Sequence, residues 1–464
     1  MTIVRGWDDH RAAVKTLLAS YAEIPAGSPV RLAKKTSNLF RPRSATSAKG
    51  LDVSGLDGVI AIDAGNRTAD VQGMCTYEHL VEATLPHGLI PLVVPQLRTI
   101  TLGGAVTGLG IESTSFRNGL PHESVLEMDI LTGAGEVVMA RPARADDPGE
   151  HADLFASFPN SYGSLGYATR LRIELEPVSQ LVRLRHVRFD DAAQMGKAIE
   201  TVVESGEWEG ERVDGLDGVA FEPGELYLTL ARWSETSAGA PSDYTGADIY
   251  YRSIQQRTTD VLSMHDYLWR WDTDWFWCSG AFGLHNPRIR RLWPRRWRRS
   301  DVYHKLVGLD RRLGIVDRLD RRAGRPQRER VIQDVEVPVD RLPDFLDWFD
   351  EAVGMRPVWL CPLRLRGAGA CWPSYPLEPG TTYVNAGFWG TVHVGDQAGE
   401  APMNRAIEAR VHELGGHKSL YSEAFYDRAT FDRLYDGANL ATVKQRYDPD
   451  DRLTSLYDKA VQRQ

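Results

Sequence analysis

The fold of this chain turns on the stretch LIPLVVPQLRTITLGGAVTGLGIES, residues 89–113. Its first half is rich in strand-forming residues. Its second half crowds Gly103, Gly104, Gly108 and Gly110 together, with Gly119 following after a gap. Backbone without side chains lets a ligand approach closely; a set of ordinary turns is the alternative. Downstream, Val125–Leu131 alternates as a strand, Thr132–Glu136 makes a hairpin turn and Val137–Ala140 returns. Gly163–Gly166 predicts a tight turn, and Ala168–Leu175 a strand that stops at Pro177. Upstream, apolar spacing predicts a helix over 7–23, a short strand over Val59–Asp63 and a helix over Tyr77–Leu85. No strand leads into a G-x-G-x-x-G that opens a helix, and there is no Walker A sequence.

Beyond residue 178 the pattern changes. Strand-like runs (Leu226–Leu230, Val331–Val337, Val358–Leu360, Tyr383–Asn385) alternate with helices over Ala192–Val203 and Leu342–Val353. This is α+β patterning with antiparallel strands. The segment Glu235–Asp248 is a polar loop, and residues 421–464 are mostly helical. The 464 residues carry 55 Lys+Arg against 63 Asp+Glu, a net charge of −8, which argues against a general nucleic-acid coat. The cysteines, Cys75, Cys278, Cys361 and Cys371, form no C-x-x-C pair, so no metal site is expected. Few and scattered thiols fit a reducing cytoplasm. The N-terminal stretch has mixed charges and a short apolar run, unlike a signal peptide.

Two segments stand out in the second half. YLWRWDTDWFWCSGAF (267–282) places Trp269, Trp271, Trp275 and Trp277 close together, as in an apolar substrate tunnel, an interfacial belt or a core. Asp272 and Asp274 are costly to bury unpaired, which predicts an edge or pocket mouth for this strip. HNPRIRRLWPRRWRRSD (285–301) carries Arg288, Arg290, Arg291, Arg295, Arg296, Arg298 and Arg299, with Trp293 and Trp297 between them. Such a segment suits anionic lipid headgroups; nicotinamide phosphate, nucleic acid and a solvated segment are the rivals. The expected location is cytoplasmic, peripheral on the inner face of the plasma membrane through 288–299.

The run TLGGAVTGLGIESTSFRNGLPHESVLEMDILTGAGEVV (101–138), followed by SYGSLGYATRLRIEL (161–175), resembles the FAD-binding core of the vanillyl-alcohol-oxidase-like (PCMH-type) flavoproteins. A narrower resemblance rests on TSNLF (36–40), LGGAVTGLGIES (102–113), VIQDVEVPV (331–339), RPVWLCPLRL (356–365), LYSEAFYDRATFDRLYDG (420–437) and LYDKA (456–460). These look like the delta-24-sterol reductases and their actinobacterial relatives. The resemblance implies a two-lobed α+β fold. Residues 1–178 would form the FAD lobe and 179–420 an antiparallel-sheet substrate cap, with 421–464 returning to the FAD lobe. It also implies reduction of an isolated carbon–carbon double bond of a lipid with NADPH. For a high-GC actinobacterium, a methylene-branched fatty acyl chain on phospholipid is the expected substrate, with a methyltransferase as partner. A sterol, or an alcohol or hydroxy acid to be oxidised, is the alternative. By that resemblance the chain is expected to open directly in the FAD lobe, where sterol reductases carry an anchor, and it departs from many family members in lacking an R-G-x-G-S loop.

By that resemblance the pyrophosphate falls near Lys35, Thr36, Ser37 and Asn38 and on the Leu102–Thr107 turn. Gly103, Gly104, Thr107, Gly108, Gly110, Ile111, Gly119 and Gly166 complete the expected FAD contacts. No His or Cys matches a covalent attachment point, so FAD is expected to be noncovalent. Glu112 and His122 are the candidate proton donors. A turn-holding acid and a satisfied structural histidine are the bland readings of the two.

Overall fold

The computed structural model describes residues 4–34, 40–41, 49–236, 239–245, 248–313, 322, 328–367, 369, 371–395 and 399–463. The expected pyrophosphate contacts Lys35, Thr36, Ser37 and Asn38 lie outside these residues.

The first lobe is an antiparallel sheet of β1 (Val59–Asp63), β2 (Thr68–Gln72), β3 (Leu89–Pro91), β4 (Val125–Leu131), β5 (Val137–Ala140) and β6 (Tyr167–Pro177). The order is β1-β2-β6-β4-β5, and β3 pairs with the far end of β6. Strand β6 is central because it is the longest and pairs with three partners. The hairpin read at 132–136 joins β4 to β5 with Leu131 opposite Val137.

The 102–107 segment is a short helix where the sequence predicts a turn. Thr101 caps it by accepting from Gly104 N at 3.2 Å, and Leu102 and Val106 are buried beneath it. Capping and two apolar anchors outweigh the low helix propensity of its glycines. Glycine is required at position 103: a Cβ there would sit 2.6 Å from the Gly73 carbonyl oxygen, at the end of β2.

The second lobe is an eight-stranded antiparallel sheet. Its strands are β7 (Leu181–Phe189), β10 (Gly215–Glu222), β11 (Glu225–Ser234), β12 (Thr259–Ser263), β13 (Arg328–Pro338), β14 (Val358–Leu363), β15 (Tyr383–His393) and β16 (His417–Lys418). They run β12-β7-β11-β10-β14-β15-β13-β16. A small hairpin of β8 (Glu207–Trp208) and β9 (Glu211–Arg212) stands apart.

Helices Ala192–Ser205, Leu342–Ala352 and Pro402–Glu413 cover the outer face through Ile199, Phe345, Phe349 and Ile407, which share one apolar cluster with Val335, Leu360 and Phe388. The first of these helices is capped by Asp191, whose carboxylate accepts from Ala193 N and Gln194 N. The inner face packs on the aromatic strip and the first lobe, in a core that runs continuously from Leu171 and Ile130 to Trp271 and Trp359. Covered on both faces, β14 is buried along its whole length. The C-terminal segment lies on the first lobe: Ala134 N donates to Tyr447 O (3.0 Å), Val30 N to Arg452 O (2.8 Å) and Tyr447 Oη to Asp153 (2.9 Å).

Candidate active site

A cavity of about 840 Å³ lies between the lobes, near the upper end of small-molecule sites. Its floor is the first lobe: Gly103, Gly104, Thr107, Gly108, Gly110 and Ile111 all line it, as do Gln96 and Tyr162. Leu102 anchors the same turn from beneath. Gly119 and Gly166 are not on the wall. Both have positive φ, Gly119 against the Glu123 carboxylate and Gly166 against the Leu131 carbonyl, so they shape the lobe.

The residues present fit a dinucleotide flavin. Bare backbone at Gly103, Gly104 and Gly108 faces the cavity. The buried side-chain amide of Gln96 has no hydrogen-bond partner among the described residues, although it lines this space. That is a ready donor and acceptor for a heterocycle edge. Lys34, Arg41 and Lys459 bring cations to the same wall. Lys34 Nζ donates to Thr101 Oγ1 (3.0 Å), Arg41 to Leu420 O (3.1 Å) and Lys459 to Gly163 O (2.8 Å).

The roof is aromatic. Trp275 and Phe276 both take left-handed backbone, with φ of 47° and 60°, which costs about 1–2 kcal/mol per residue. Packing holds them there. Phe276 contacts Trp271 (5.0 Å between centroids), Trp359 (5.3 Å) and Trp389 (4.4 Å), and Trp275 stacks on Phe40 (5.7 Å).

One acid enters this surface. Asp334 is the only carboxyl among the described lining residues. It sits on β13 opposite Gly387 of β15. Any side chain at 387 would place a Cβ 2.5 Å from Asp334 Oδ1, so glycine there makes room for the carboxyl. Asn385 Nδ2 donates to Asp334 Oδ1 (3.0 Å), and Tyr421 Oη also hydrogen-bonds the carboxyl. Trp389 Nε1 in turn donates to Tyr421 Oη (2.8 Å). Burial outweighs these two stabilising bonds and pushes Asp334 up to about 6. Glu336, two residues on, is sealed beneath against Tyr375 and does not line the cavity.

The structure sets both candidate proton donors, Glu112 and His122, off the cavity wall. Glu112 is buried in a clamp between the lobes. Ser113 Oγ donates to it (2.5 Å) and meets Tyr267 Oη at 2.6 Å, while Arg270 approaches Glu112 at 3.5 Å and Asp217 at 2.9 Å. His122 is fully buried edge-on to Trp372, 4.4 Å between centroids, and neither ring nitrogen has a partner among the described residues. Burial drives its pKa down to about 3, which keeps the ring neutral.

A His122→Phe variant is therefore expected to match or exceed the parent's thermal stability at pH 7, because no hydrogen bond is lost. The folded pKa of His122 lies below the unfolded value. Its share of stability is complete above about 6.5 and is lost as pH falls toward 3. The variant should lose less stability across that window; an equal loss by both proteins, measured by thermal unfolding at stepped pH, refutes the assignment.

The aromatic strip is core in its first half and cavity wall in its second, where Trp275, Phe276 and Cys278 line the space. Trp269, Trp271, Asp272 and Asp274 are all buried. The two acids tolerate burial because each is paired, Asp272 with Arg98 (2.9 Å) and Ser300 (2.6 Å), Asp274 with Arg290 (2.5 Å) and Ser279 (2.8 Å). Asp334, the acid on the cavity wall, does not stand out as a site residue in the sequence. Its signal is an acid at an alternating position inside the apolar run VIQDVEVPV.

Residues 10–141 match the family model described as an FAD binding domain. The chain is 23% identical to the delta(24)-sterol reductase of Homo sapiens over 426 residues, 86% of this chain and 75% of the relative. With the delta(24)-sterol reductase of Arabidopsis thaliana the identity is 23% over 455 residues, 88% and 76% of the two chains. Cytokinin dehydrogenase 6 of Oryza sativa subsp. japonica is 32% identical over 150 residues, 32% of this chain and 27% of the relative.

Fold, cavity and matches define a flavoprotein with a PCMH-type FAD-binding domain, an FAD-dependent oxidoreductase. Within that class, the relatives similar to it over most of its length are delta(24)-sterol reductases, such as those of Homo sapiens and Arabidopsis thaliana, each at 23% identity. Among the described residues no helix is long and apolar enough to cross a membrane, and no group of three or more His, Cys, Asp or Glu could hold a metal ion.

Proposed function

We propose that the protein reduces an isolated carbon–carbon double bond of a lipid. The substrate is a methylene-branched fatty acyl chain, converted to the methyl-branched chain of tuberculostearic type, with noncovalent FAD and with NADPH as electron donor. The observation that carries this reading is Asp334, the one acid among the described lining residues, in an aromatic cavity shared with the glycine-rich floor. FAD, when bound, supplies the hydride. An unactivated alkene has no carbonyl to take up charge, so the second carbon needs a positioned proton donor. Asp334 holds that proton at its carboxyl, oriented by Asn385 and Tyr421. Trp275, Phe276, Trp359 and Trp389 keep water from the site, and their ring faces tolerate positive charge developing on carbon. The methylene branch must come from a preceding carbon-transfer enzyme, which makes a methyltransferase the expected partner.

A flavin spectrum of the purified protein, anaerobic titration with NADPH, and product analysis on a methylene-lipid extract test the reading in sequence. An unchanged exocyclic methylene with fully reduced flavin sinks the acyl substrate and leaves the sterol alternative, for which a Δ24 sterol is the probe. The match to a dehydrogenase supports a second reading, substrate oxidation on the same fold; an alcohol or hydroxy acid, with Asp334 as base, is the form it would take here. Rapid reoxidation of the reduced flavin by oxygen, with no alkene reduced, favours that one.

A further inference from the structure

Of the seven arginines in 288–299, three serve the fold. Arg290 is buried against Asp274 and also donates to Asp248 O (2.9 Å). Arg298 donates to the carbonyls of Thr245 (2.9 Å), Arg290 (2.5 Å) and Trp293 (2.9 Å). Arg299 pairs with Glu78 (2.7 Å) and Asp301 (3.0 Å). They fix the backbone of the segment and leave Arg288, Arg291, Arg295 and Arg296 exposed. Among the described residues, Arg295 alone of these four forms an ion pair, with exposed Asp243 at 3.4 Å, a contact of little strength in water.

Apolar side chains project among these cations. Ile289, Leu292 and Trp297 are 42%, 85% and 48% exposed, three of the five large exposed hydrophobics in the described chain. Arg296 lies over the Trp297 ring at 5.5 Å. The patch adjoins the cavity: Trp293 packs on the cluster of Phe40, Trp275, Leu284 and Tyr303, of which Phe40 and Trp275 line the cavity.

We propose that this face docks on an anionic phospholipid surface. The four exposed arginines meet headgroup phosphates while Leu292, Ile289 and Trp297 enter the acyl boundary. The charge argues for the occupant, because a chain of net charge −8 concentrates four exposed arginines here with no acid between residues 285 and 300. The apolar wedge argues for a bilayer over a soluble polyanion, since a polyanion offers nothing to cover Leu292. The inference deepens the lipid reading above: docking sets the cavity one aromatic layer from the bilayer.

Flotation of the FAD-loaded protein with vesicles tests it. Vesicles of phosphatidylglycerol and phosphatidylcholine should carry the protein up, pure phosphatidylcholine should not, and binding should fall as salt rises. The pair Arg291→Glu with Arg296→Glu should lower partitioning by about thirtyfold or more, and Leu292→Asp should lower it independently, with melting temperatures unchanged. Equal flotation with both vesicle types, or charge-reversed protein that floats like the parent, overturns the proposal. Turnover of detergent-dispersed substrate separates the two ideas. Lost docking with intact turnover overturns docking alone, and intact docking without turnover overturns the reductase reading alone.

Discussion

Asp334→Asn should give a folded, flavin-loaded protein whose double-bond reduction falls by about 10²–10⁴, the usual worth of a positioned general acid. The asparagine keeps the shape of the side chain and room beside Gly387, but it carries no transferable proton. Reduction of the flavin by NADPH should persist, so a stopped-flow trace would show normal flavin bleaching and a lost oxidative half-reaction. With the parent protein, the rate of that half-reaction should be flat below about 6 and fall about tenfold per pH unit above it, because Asp334 donates only while protonated. The variant should lose that limb.

Stability moves the other way. The folded pKa of Asp334 lies above the ordinary aspartate value, so its stabilising share is full in acid and is lost as pH rises through about 6. A residue that cannot ionise escapes that loss, and Asp334→Asn should be at least as stable as the parent at pH 8. An undiminished oxidative half-reaction, or a variant that no longer binds flavin, would remove Asp334 from the role of proton donor.

The floor of this site and the Trp275–Phe276 part of its roof are legible in the sequence, but the acid and its partners are not, for a physical reason. The floor is local: Gly103, Gly104, Thr107 and Gly108 fall within one turn, so a linear reading finds them together. The rest is assembled by strand pairing between residues far apart. Asp334 meets Asn385 only because β13 lies beside β15, and Tyr421 reaches the carboxyl from the segment after β16. Glu112 and His122 drew attention through proximity to the glycines, yet their side chains leave the cavity for the lobe interface and the core. Half of the aromatic strip is hidden in the same way, while Trp275 and Phe276 line the cavity as a pocket reading expects. Two aspartates argue for an exposed edge until Arg98 and Arg290 are seen to reach them from 174 and 16 residues away.

The largest structural loss is expected from Arg270→Met. Arg270 is fully buried where the lobes meet, bound to Asp217 at 2.9 Å, near Glu112 at 3.5 Å and over the Tyr267 ring at 4.0 Å. Trp271 Nε1 and Trp359 Nε1 also donate to Asp217, at 2.9 and 3.3 Å, so the cluster ties the aromatic strip to the cap sheet. Methionine fills most of the space but strands two buried acids without a cation, which costs about 3–5 kcal/mol. Native stabilities of about 5–15 kcal/mol make that a large fraction of the whole. The penalty should shrink in acid. Burial already raises Glu112 above the usual carboxylate range while Arg270 pulls it down; without the arginine it rises further, and the folded state then gains stability as pH falls. The triple variant Arg270→Met, Asp217→Asn, Glu112→Gln should recover most of the loss, because the buried charges go with their partner. Thermal unfolding of the single and triple variants at pH 5 and 8 decides it. A single variant that melts with the parent, or a triple variant no better than the single, would mean that the lobes are held by their shared apolar core and not by this cluster.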